Sequence, residues 1–326
     1  MTATAIAHAN IALIKYWGKR NVERNLPAVG SISLTLRELY TRTSVTFRDD
    51  LDGDVMRLNG AAADPRALRR ASRFLDHFRS PAGIASPAEI VSENTFPTGA
   101  GLASSASGFA ALTVAAAAAA GLDYNPRKLS ELARIGSGSA ARSLFGGIVE
   151  MHLGEDEDGA DSVAEPLYSE DYWPLELLIL ITSEAAKDIG STDGMTLTAA
   201  TSPYYSAWVN AQAHDLDAMR AALAARDFEK LGELSEFSCL KMHALAMSAD
   251  PGILYWNEHT TALIHEVRAL RKRGIAAYFT IDAGPQIKVI CPPGGSAAVE
   301  AALKDAPGVR RVYRTGLGPD ARIVTP

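Results

Sequence analysis

Cysteine is scarce in this sequence of 326 residues, which contains only Cys239 and Cys291. Both lie among apolar residues, and neither belongs to a CxxC motif or has a partner at metal-ligand spacing. We therefore expect two reduced, buried thiols in a cytoplasmic protein. A basic leader is also missing before Lys15, so the sequence predicts no signal peptide.

Long apolar runs and an excess of basic residues are missing as well. The longest largely apolar run, 109–122, is too short and too rich in alanine to span a bilayer. The chain carries 38 acidic and 32 basic residues, a formal net charge of −6. This balance disfavours a nucleic-acid partner, which needs a basic face. No HxxxH pair and no Gly-Lys-Ser/Thr phosphate loop occurs, so the strongest metal and nucleotide signals are lacking.

The residues that are present indicate a globular protein with room for two domains. Hydrophobic residues make up 47% of the chain and charged residues 21%, an ordinary globular composition. Strands and helices are interspersed without a regular βαβ period, which favours an α+β fold. Strands are predicted at 31–36, 41–47, 54–59, 89–94, 147–152, 175–181, 276–281, 287–291 and 309–313. Helices are predicted at 65–79, 109–120, 127–134, 203–223, 227–248, 258–273 and 296–304.

The segment 97–108, PTGAGLASSASG, consists almost entirely of small residues and runs into a predicted helix. Small residues let backbone N–H groups approach an anion, and a helix start favours negative charge. The segment lacks the third glycine of a dinucleotide fingerprint. A helix cap with a loop is the alternative, but the length of the segment favours phosphate binding.

Four further segments carry polar or charged residues in apolar surroundings. The segment 10–19 groups Lys15, Tyr16 and Lys19 with aromatic residues, and fits either an anion site or a solvated strand end. Arg142 follows GSGSAA and suits a carboxylate or phosphate. The sequence GSTDGM at 190–195 fits an anion site or a helix cap equally well. Asp282 lies between a strand and a tight turn, as either a general base or an ordinary turn residue.

Taken in order, these segments resemble the diphosphomevalonate decarboxylases of the GHMP kinase superfamily. The matching pieces are AHANIALIKYWGKR, PTGAGLASSASGF, ARIGSGSAARSLFGG, GSTDGM with TSPYY, and YFTIDAGP. The resemblance implies a two-domain α+β fold. Its ribosomal-S5-like N-terminal domain would cover 1–172, its ferredoxin-like C-terminal domain 173–326, with the active site in the cleft between them.

The resemblance also implies an activity in the mevalonate pathway of isoprenoid biosynthesis. (R)-5-diphosphomevalonate and ATP would give isopentenyl diphosphate, ADP, phosphate and CO2, with Mg²⁺ as a further cofactor. The enzyme would be a cytoplasmic homodimer with no nucleic-acid or membrane partner. The alternatives are a decarboxylase of the 5-monophosphate, a 3-kinase that stops before decarboxylation, and a catalytically silent ligand-binding relative.

The same resemblance assigns roles to individual residues. Asp282 would be the base at the tertiary 3-hydroxyl, Lys19 would favour its ionised form, and Arg142 would hold the substrate carboxylate. No residue is assigned as a metal ligand. The substrate site would comprise Tyr16, Trp17, Gly18, Lys19, Arg70, Ser137, Gly138, Ser139, Ala140, Ala141, Arg142, Ser191 and Thr192. The ATP site would comprise Asn10, Thr98, Gly99, Gly101, Ser104, Ser105 and Ser107. Gln286 departs from the family, in which many members have asparagine after DAGP. All of this requires Lys19, Arg142 and Asp282 to meet in one cavity.

Overall fold

Two β-sheets, one built mainly from each half of the chain, organise the protein. The structure is a computed structural model that describes residues 1–97, 104–185 and 188–325. Within these residues the first sheet has the strand order β14-β1-β4-β7-β5-β6, and β8 pairs with β4 and carries β9 on its other side. Its strands are β1 (Thr2–Ile14), β4 (Ser31–Phe47), β5 (Val55–Leu58), β6 (Ala61–Ala62), β7 (Ala88–Asn94), β8 (Ile148–Met151), β9 (Ala164–Tyr168) and β14 (Arg322–Val324).

The second sheet is antiparallel throughout, with the order β11-β12-β10-β13. A separate two-stranded ribbon follows β1 in the chain. The strands of the second sheet are β10 (Glu176–Ile181), β11 (Tyr278–Ile281), β12 (Ile287–Cys291) and β13 (Arg311–Gly316). Those of the ribbon are β2 (Lys19–Asn21) and β3 (Leu26–Pro27).

Helices cover the sheets, and several begin or end where the sequence predicts. They are α1 (Pro65–Ala82), α2 (Ser104–Ala119), α3 (Pro126–Gly136), α4 (Ser191–Thr201), α5 (Tyr205–Ala225), α6 (Phe228–Met247), α7 (Glu258–Lys272) and α8 (Ser296–Leu303), with a 3-10 helix at Gly138–Leu144. Helix α1 starts at a proline because Asp64 caps the N–H groups of Arg66 and Ala67. It ends at Gly83, which adopts a left-handed conformation.

The cores explain why α2 is rich in alanine. This helix packs against β1 and β4, and Ala110, Ala111, Ala115 and Ala116 are fully buried there. Because alanine is small, the helix can lie close to both strands, and it needs no amphipathic stripe because most of its circumference is covered. The close approach fixes the start of α2 at the edge of the cavity described below.

The structure corrects several predicted elements. The strands predicted at 31–36 and 41–47 are one long strand, β4, which pairs with nearly all of β1 across two register shifts. A β-bulge accommodates such a shift without ending a strand. Helix α4 and six strands were not predicted as elements, namely β1, β2, β3, β6, β9 and β14.

The first and last strands of the chain are neighbours in the first sheet. In the antiparallel pair β1–β14, Ala5 lies opposite Ile323. Strand β14 thus belongs to the first sheet although it lies after residue 172 in the sequence. The domain boundary at 172/173 stays a prediction. None of the helices in the described ranges is long and apolar enough to cross a membrane.

Candidate active site

One cavity of about 780 Å³ collects side chains that are distant in the sequence. Its walls come from β1, from the starts of α1, α2 and α4, from the 3-10 helix and from the turn after β11. Lys19, Arg142 and Asp282 all line it, so the three side chains share one cavity as the sequence predicts. The other predicted site residues in the lining are Asn10, Tyr16, Trp17, Arg70, Ser104, Ser105, Ser137, Gly138, Ser139, Ser191 and Thr192.

Asp282 is held at the cavity by the turn that joins two buried strands. Ile281 pairs with Ile287, so residues 282–286 form the connection between β11 and β12. Gln286 is fully buried: its Oε1 accepts a 2.7 Å hydrogen bond from the Thr182 N–H, and its Nε2 donates to the Ser183 carbonyl. Gln286, where many family members have asparagine, thus ties the turn to the residues after β10. These hydrogen bonds limit the movement of Asp282.

Two buried lysines contact the Asp282 carboxylate. Lys15 Nζ lies 2.6 Å from Oδ1, and Lys288 Nζ lies 3.2 Å from Oδ2. Each lysine side chain is 1% exposed. Burial alone raises the pKa of Asp282, but the two ammonium groups more than offset this and hold the pKa well below its usual value. Asp282 is therefore an ionised carboxylate at neutral pH.

The expectation that Lys19 keeps Asp282 ionised is wrong. Lys19 Nζ instead donates to Asn25 Oδ1 at 2.5 Å and to Thr192 Oγ1 at 3.3 Å. Burial and, to a smaller extent, the nearby charge of Arg70 together lower the pKa of Lys19 to about 8, against the opposing effect of Asp193. Lys19 is a cation on another part of the wall, because β2 and α4 direct it there.

Arg142 presents a guanidinium group that is fixed by neutral partners. Nη1 donates to Ser31 Oγ at 2.6 Å, Nε to Ser33 Oγ at 3.0 Å, and Nη2 to Asn10 Oδ1 at 2.9 Å. Burial lowers its pKa to about 10, and Asp282 opposes this shift, so the group stays protonated at neutral pH. Since no carboxylate of the described residues lies within ion-pair distance of it, its charge is available to an anion in the cavity.

Asn10 fixes Arg142 in the 3-10 helix from two directions. Besides accepting from Arg142, it donates through Nδ2 to the Ser139 carbonyl at 3.0 Å and to Ser143 Oγ at 2.8 Å. Strand β1 thereby holds the guanidinium in place. The predicted contact of Asn10 with ATP stays a prediction.

Two family models match most of the chain. Residues 7–164 match the family model of the diphosphomevalonate decarboxylase-like N-terminal domain, and residues 177–308 match that of the mevalonate 5-diphosphate decarboxylase C-terminal domain. The chain belongs to the diphosphomevalonate decarboxylase family.

Curated and solved decarboxylases of this family resemble the chain along most of its length. The diphosphomevalonate decarboxylase of Gibberella zeae is 41% identical over 87% of this chain and 79% of its own length. The diphosphomevalonate decarboxylase of Candida albicans is 36% identical over 98% of this chain and 96% of its own length. The crystal structure of the Staphylococcus aureus enzyme superposes with a TM-score of 0.94 at 37% identity, covering 99% and 98% of the two chains. A structure described as MDDEF in complex with MVAPP, AMPPCP and magnesium superposes with a TM-score of 0.93 at 38% identity. The superposition covers 100% of this chain and 99% of that one.

Two glycines of this decarboxylase-family chain are required by close contacts. A Cβ on Gly138 would lie 2.4 Å from the Tyr16 hydroxyl, and a Cβ on Gly18 would lie 2.3 Å from the Tyr205 hydroxyl. Gly18 also has φ +105°, which side chains rarely adopt. Gly138 therefore lets Tyr16 reach the wall, whereas Gly18 is a packing residue that does not line the cavity.

Some predicted site residues lie in the core instead of on the cavity wall. Ala140 and Ala141 are fully buried in two different apolar clusters. Ser107 is also fully buried, and its hydroxyl lies 2.7 Å from that of Thr41. In the 3-10 helix and in α2, a residue one or two positions away from a cavity-lining residue points into the core. A contiguous sequence motif therefore cannot bring all of its side chains to the ligand.

Two helix starts face the cavity. Ser104 and Ser105 begin α2, and Ser191 and Thr192 begin α4. The N-cap of α4 is Gly190 and makes no side-chain cap bond, so the hydroxyl groups of its first turn are not used as caps. Helix starts with free donors favour anions. Thr98, Gly99 and Gly101, the other predicted phosphate contacts, lie outside the described residues.

Sequence reasoning missed Lys288 altogether, and it placed Lys15 in a candidate anion-site segment but not at Asp282. Lys288 is a lone charge in the apolar strand IKVIC, and Lys15 directly follows the apolar strand β1. A lysine in such a position must find a buried partner or lose its charge. That signal was available, because Asp282 is the carboxylate at the end of the neighbouring strand.

The described part of the wall has oxygen atoms suited to Mg²⁺ but no dedicated metal cage. The described residues contain no group of three His, Cys, Asp or Glu side chains that could hold an ion. The hydroxyl groups of Ser104 and Ser105 and the carboxylate of Asp188 do line the cavity. Because Mg²⁺ is usually held by phosphates, waters and only one or two protein oxygens, these residues fit a Mg²⁺–nucleotide complex.

Proposed function

We propose that this chain catalyses the ATP-dependent decarboxylation of (R)-5-diphosphomevalonate to isopentenyl diphosphate, with release of ADP, phosphate and CO2. The observation that carries the proposal is the shared cavity of Asp282 and Arg142. One is a carboxylate kept ionised by two lysines, the other an arginine without an acidic partner among the described residues. A substrate with both a hydroxyl and a carboxylate fits this pair.

The first step phosphorylates the tertiary 3-hydroxyl. Its oxygen attacks the γ-phosphorus of ATP, an O–P bond forms, the bond to ADP breaks, and Asp282 receives the hydroxyl proton. With its lowered pKa, Asp282 is a weak base, so its main work is to orient the hydroxyl. It takes the proton as the forming O–P bond makes the hydroxyl more acidic. Bound Mg²⁺ would neutralise phosphate charge, with Ser104, Ser105 and Asp188 as candidate ligands.

The second step expels phosphate and CO2. The C3–O bond breaks and leaves positive character at C3, and the electrons of the C1–C2 bond move to form the C2=C3 double bond. Arg142 orients the carboxylate and keeps it ionised until this moment. Its fixed geometry supports that role, because four hydrogen bonds to Asn10, Ser31 and Ser33 hold the guanidinium before the substrate arrives.

The diphosphate would bind at the part of the cavity wall that Lys19, Tyr16 and Arg70 line. Lys19, Tyr16 and Arg70 supply a cation, a phenol and a guanidinium there, and the starts of α2 and α4 add N–H donors. Further contacts would come from Ser137, Gly138, Ser139, Ser191 and Thr192. We also propose a cytoplasmic homodimer, which rests on family resemblance alone.

The test compares diphosphomevalonate and phosphomevalonate side by side, with ADP and CO2 release measured together. Equal release of ADP and CO2 with a preference for diphosphomevalonate is the expected result. Preference for the monophosphate would reassign the substrate, and ADP release without CO2 would make the chain a 3-kinase. Binding of either substrate without any ADP release would indicate a silent ligand-binding relative.

A further inference from the structure

A stripe of basic residues lies on one face of α1, next to the active-site cavity. Arg69 and Arg70 lie three and four residues after Arg66, Arg73 lies four and three residues after them, and His77 lies four residues after Arg73, which places all five on one side of the helix. Together they line a groove of about 340 Å³. A concave surface distinguishes this stripe from an ordinary solvated helix face.

The positive charge of the groove has no acidic partner among the described residues. In the ranges 1–97, 104–185 and 188–325, no carboxylate lies within ion-pair distance of the four arginines, and the acidic residues Asp54 and Asp76 pair with Arg79 instead. Within the part of the chain that the structure describes, the one side-chain hydrogen bond of these arginines runs from Arg70 Nη2 to the Gly136 carbonyl, at 2.7 Å. Concentrated positive charge on a chain of net charge −6 is a local attraction for anions.

The floor of the groove is aromatic. Phe74 and Phe109 line it, and their rings meet edge to face with centroids 5.1 Å apart. The Arg70 guanidinium lies 4.5 Å from the centroid of the Phe109 ring. An arginine rim above an aromatic floor matches a ligand that has both phosphates and an organic group.

The groove is adjacent to the active-site cavity but is not the same site. Both are lined by Asn25, Arg66 and Arg70, whereas Arg69 and Arg73 line only the groove. Asn25 connects the two, since its Oδ1 accepts from Lys19 Nζ and its Nδ2 donates to the Ile135 carbonyl at 2.6 Å. A ligand in the groove would therefore lie beside the reactants, one side chain away from Lys19.

We propose that this groove binds a second oligophosphate ester, separate from the two reactants. Arg69 and Arg73 pair with its phosphates, and Phe74 and Phe109 contact its organic group. That group is either a nucleoside or an alkyl chain, since both present an apolar surface to the rings. The proposal does not depend on the reaction that the neighbouring cavity performs.

The test saturates the full-length chain with diphosphomevalonate and a non-hydrolysable ATP analogue, and then titrates it with inorganic tripolyphosphate by calorimetry. We expect one additional binding event, weakened about tenfold or more in Arg69→Gln/Arg73→Gln because two charge-assisted contacts are lost. The matched control Lys272→Gln/Arg273→Gln removes the same charge from the exposed end of α7 and should leave this affinity unchanged. ADP and geranyl diphosphate are titrated in parallel. Tighter binding of ADP than of tripolyphosphate identifies a nucleoside as the organic group, and tighter binding of geranyl diphosphate identifies an alkyl chain.

Three outcomes would overturn the proposal: no additional event, equal affinity in the double arginine variant, or displacement of the ATP analogue by tripolyphosphate. The last would show that the groove is part of the nucleotide site. A chain that binds tripolyphosphate through Arg69 and Arg73 but does not decarboxylate would keep the groove and refute only the proposed function.

Discussion

The buried lysine at position 288 offers the sharpest test of how Asp282 is kept ionised. Lys288 is not among the residues that line the cavity, so it acts on the reaction through Asp282. Lys288→Met keeps most of the side-chain volume and removes the charge. Burial, which favours the protonated carboxyl, would then be opposed by Lys15 alone, and the pKa of Asp282 should rise.

The magnitude follows from the 3.2 Å distance between Lys288 Nζ and Asp282 Oδ2. At an effective dielectric constant of about 20, two unit charges at this distance attract by about 5 kcal/mol. Breaking a buried pair by removing one partner costs about 3–5 kcal/mol in practice. Because Asp282 keeps Lys15 as a partner at 2.6 Å, we expect Lys288→Met to lower the free energy of unfolding at neutral pH by less than about 3 kcal/mol.

The sign of the pH dependence follows from the lowered pKa of Asp282. A carboxyl whose pKa is lowered by folding contributes stability above its unfolded pKa, and loses it as the pH falls through its folded pKa. In the wild type this loss occurs only in strong acid. In Lys288→Met the folded pKa is higher, so the acid limb of kcat/KM and the acid unfolding midpoint should both move toward neutral pH.

The assay combines pH–rate profiles with a double-mutant cycle on urea unfolding, using Lys288→Met, Asp282→Asn and both together. The cycle removes other contacts of Lys288 from the comparison and isolates its interaction with Asp282. Lys272→Met, an exposed lysine of α7, is the matched control. An unchanged acid limb, with a coupling energy below about 0.5 kcal/mol, would refute the reasoning.

Three further predictions follow from the cavity wall. Arg142→Lys keeps the charge but loses the planar fork, and should lower kcat/KM about 10–100-fold; a change below twofold would contradict carboxylate binding. Gly138→Ala should raise KM for the diphosphate about tenfold because its Cβ would meet the Tyr16 hydroxyl, while Gly108→Ala, with open space around its Cβ, should not. Since the pKa of Lys19 is about 8, KM should rise as the pH passes above that value and Lys19 loses its charge. Lys19→Arg should abolish this rise, and the same rise in Lys19→Arg would assign it to another group.

Much of the fold could be predicted from local patterns in the sequence. Helix α1 has both of its end signals in the sequence, Asp64-Pro65 and Gly83, and the prediction missed its end by three residues. Strand β1 was missed because it is buried along most of its length and shows no period-two alternation. The start of α4 was ambiguous because serine and threonine before a helix fit a cap and a ligand site equally well.

The motifs that form the site could be predicted from the sequence, but the contacts between their side chains could not. Arg142 and Asp282 were found because each stands beside small or turn residues in a recognisable segment. The choice between Lys15 and Lys19 could not be made from spacing, since both belong to one motif. It depends on where β1 ends and on the Lys15 N–H donating to Ser238 Oγ at 2.9 Å, a contact made only by folding.

The most direct test of the account is the rate of CO2 release from diphosphomevalonate by Asp282→Asn in a single turnover with ATP. Asparagine keeps the shape of the side chain but neither carries the charge nor accepts the hydroxyl proton. We predict a loss of about 10²–10⁴-fold, with diphosphomevalonate still bound through Arg142 and Lys19. A rate close to that of the wild type would contradict the assignment of Asp282 as the group that orients and deprotonates the 3-hydroxyl.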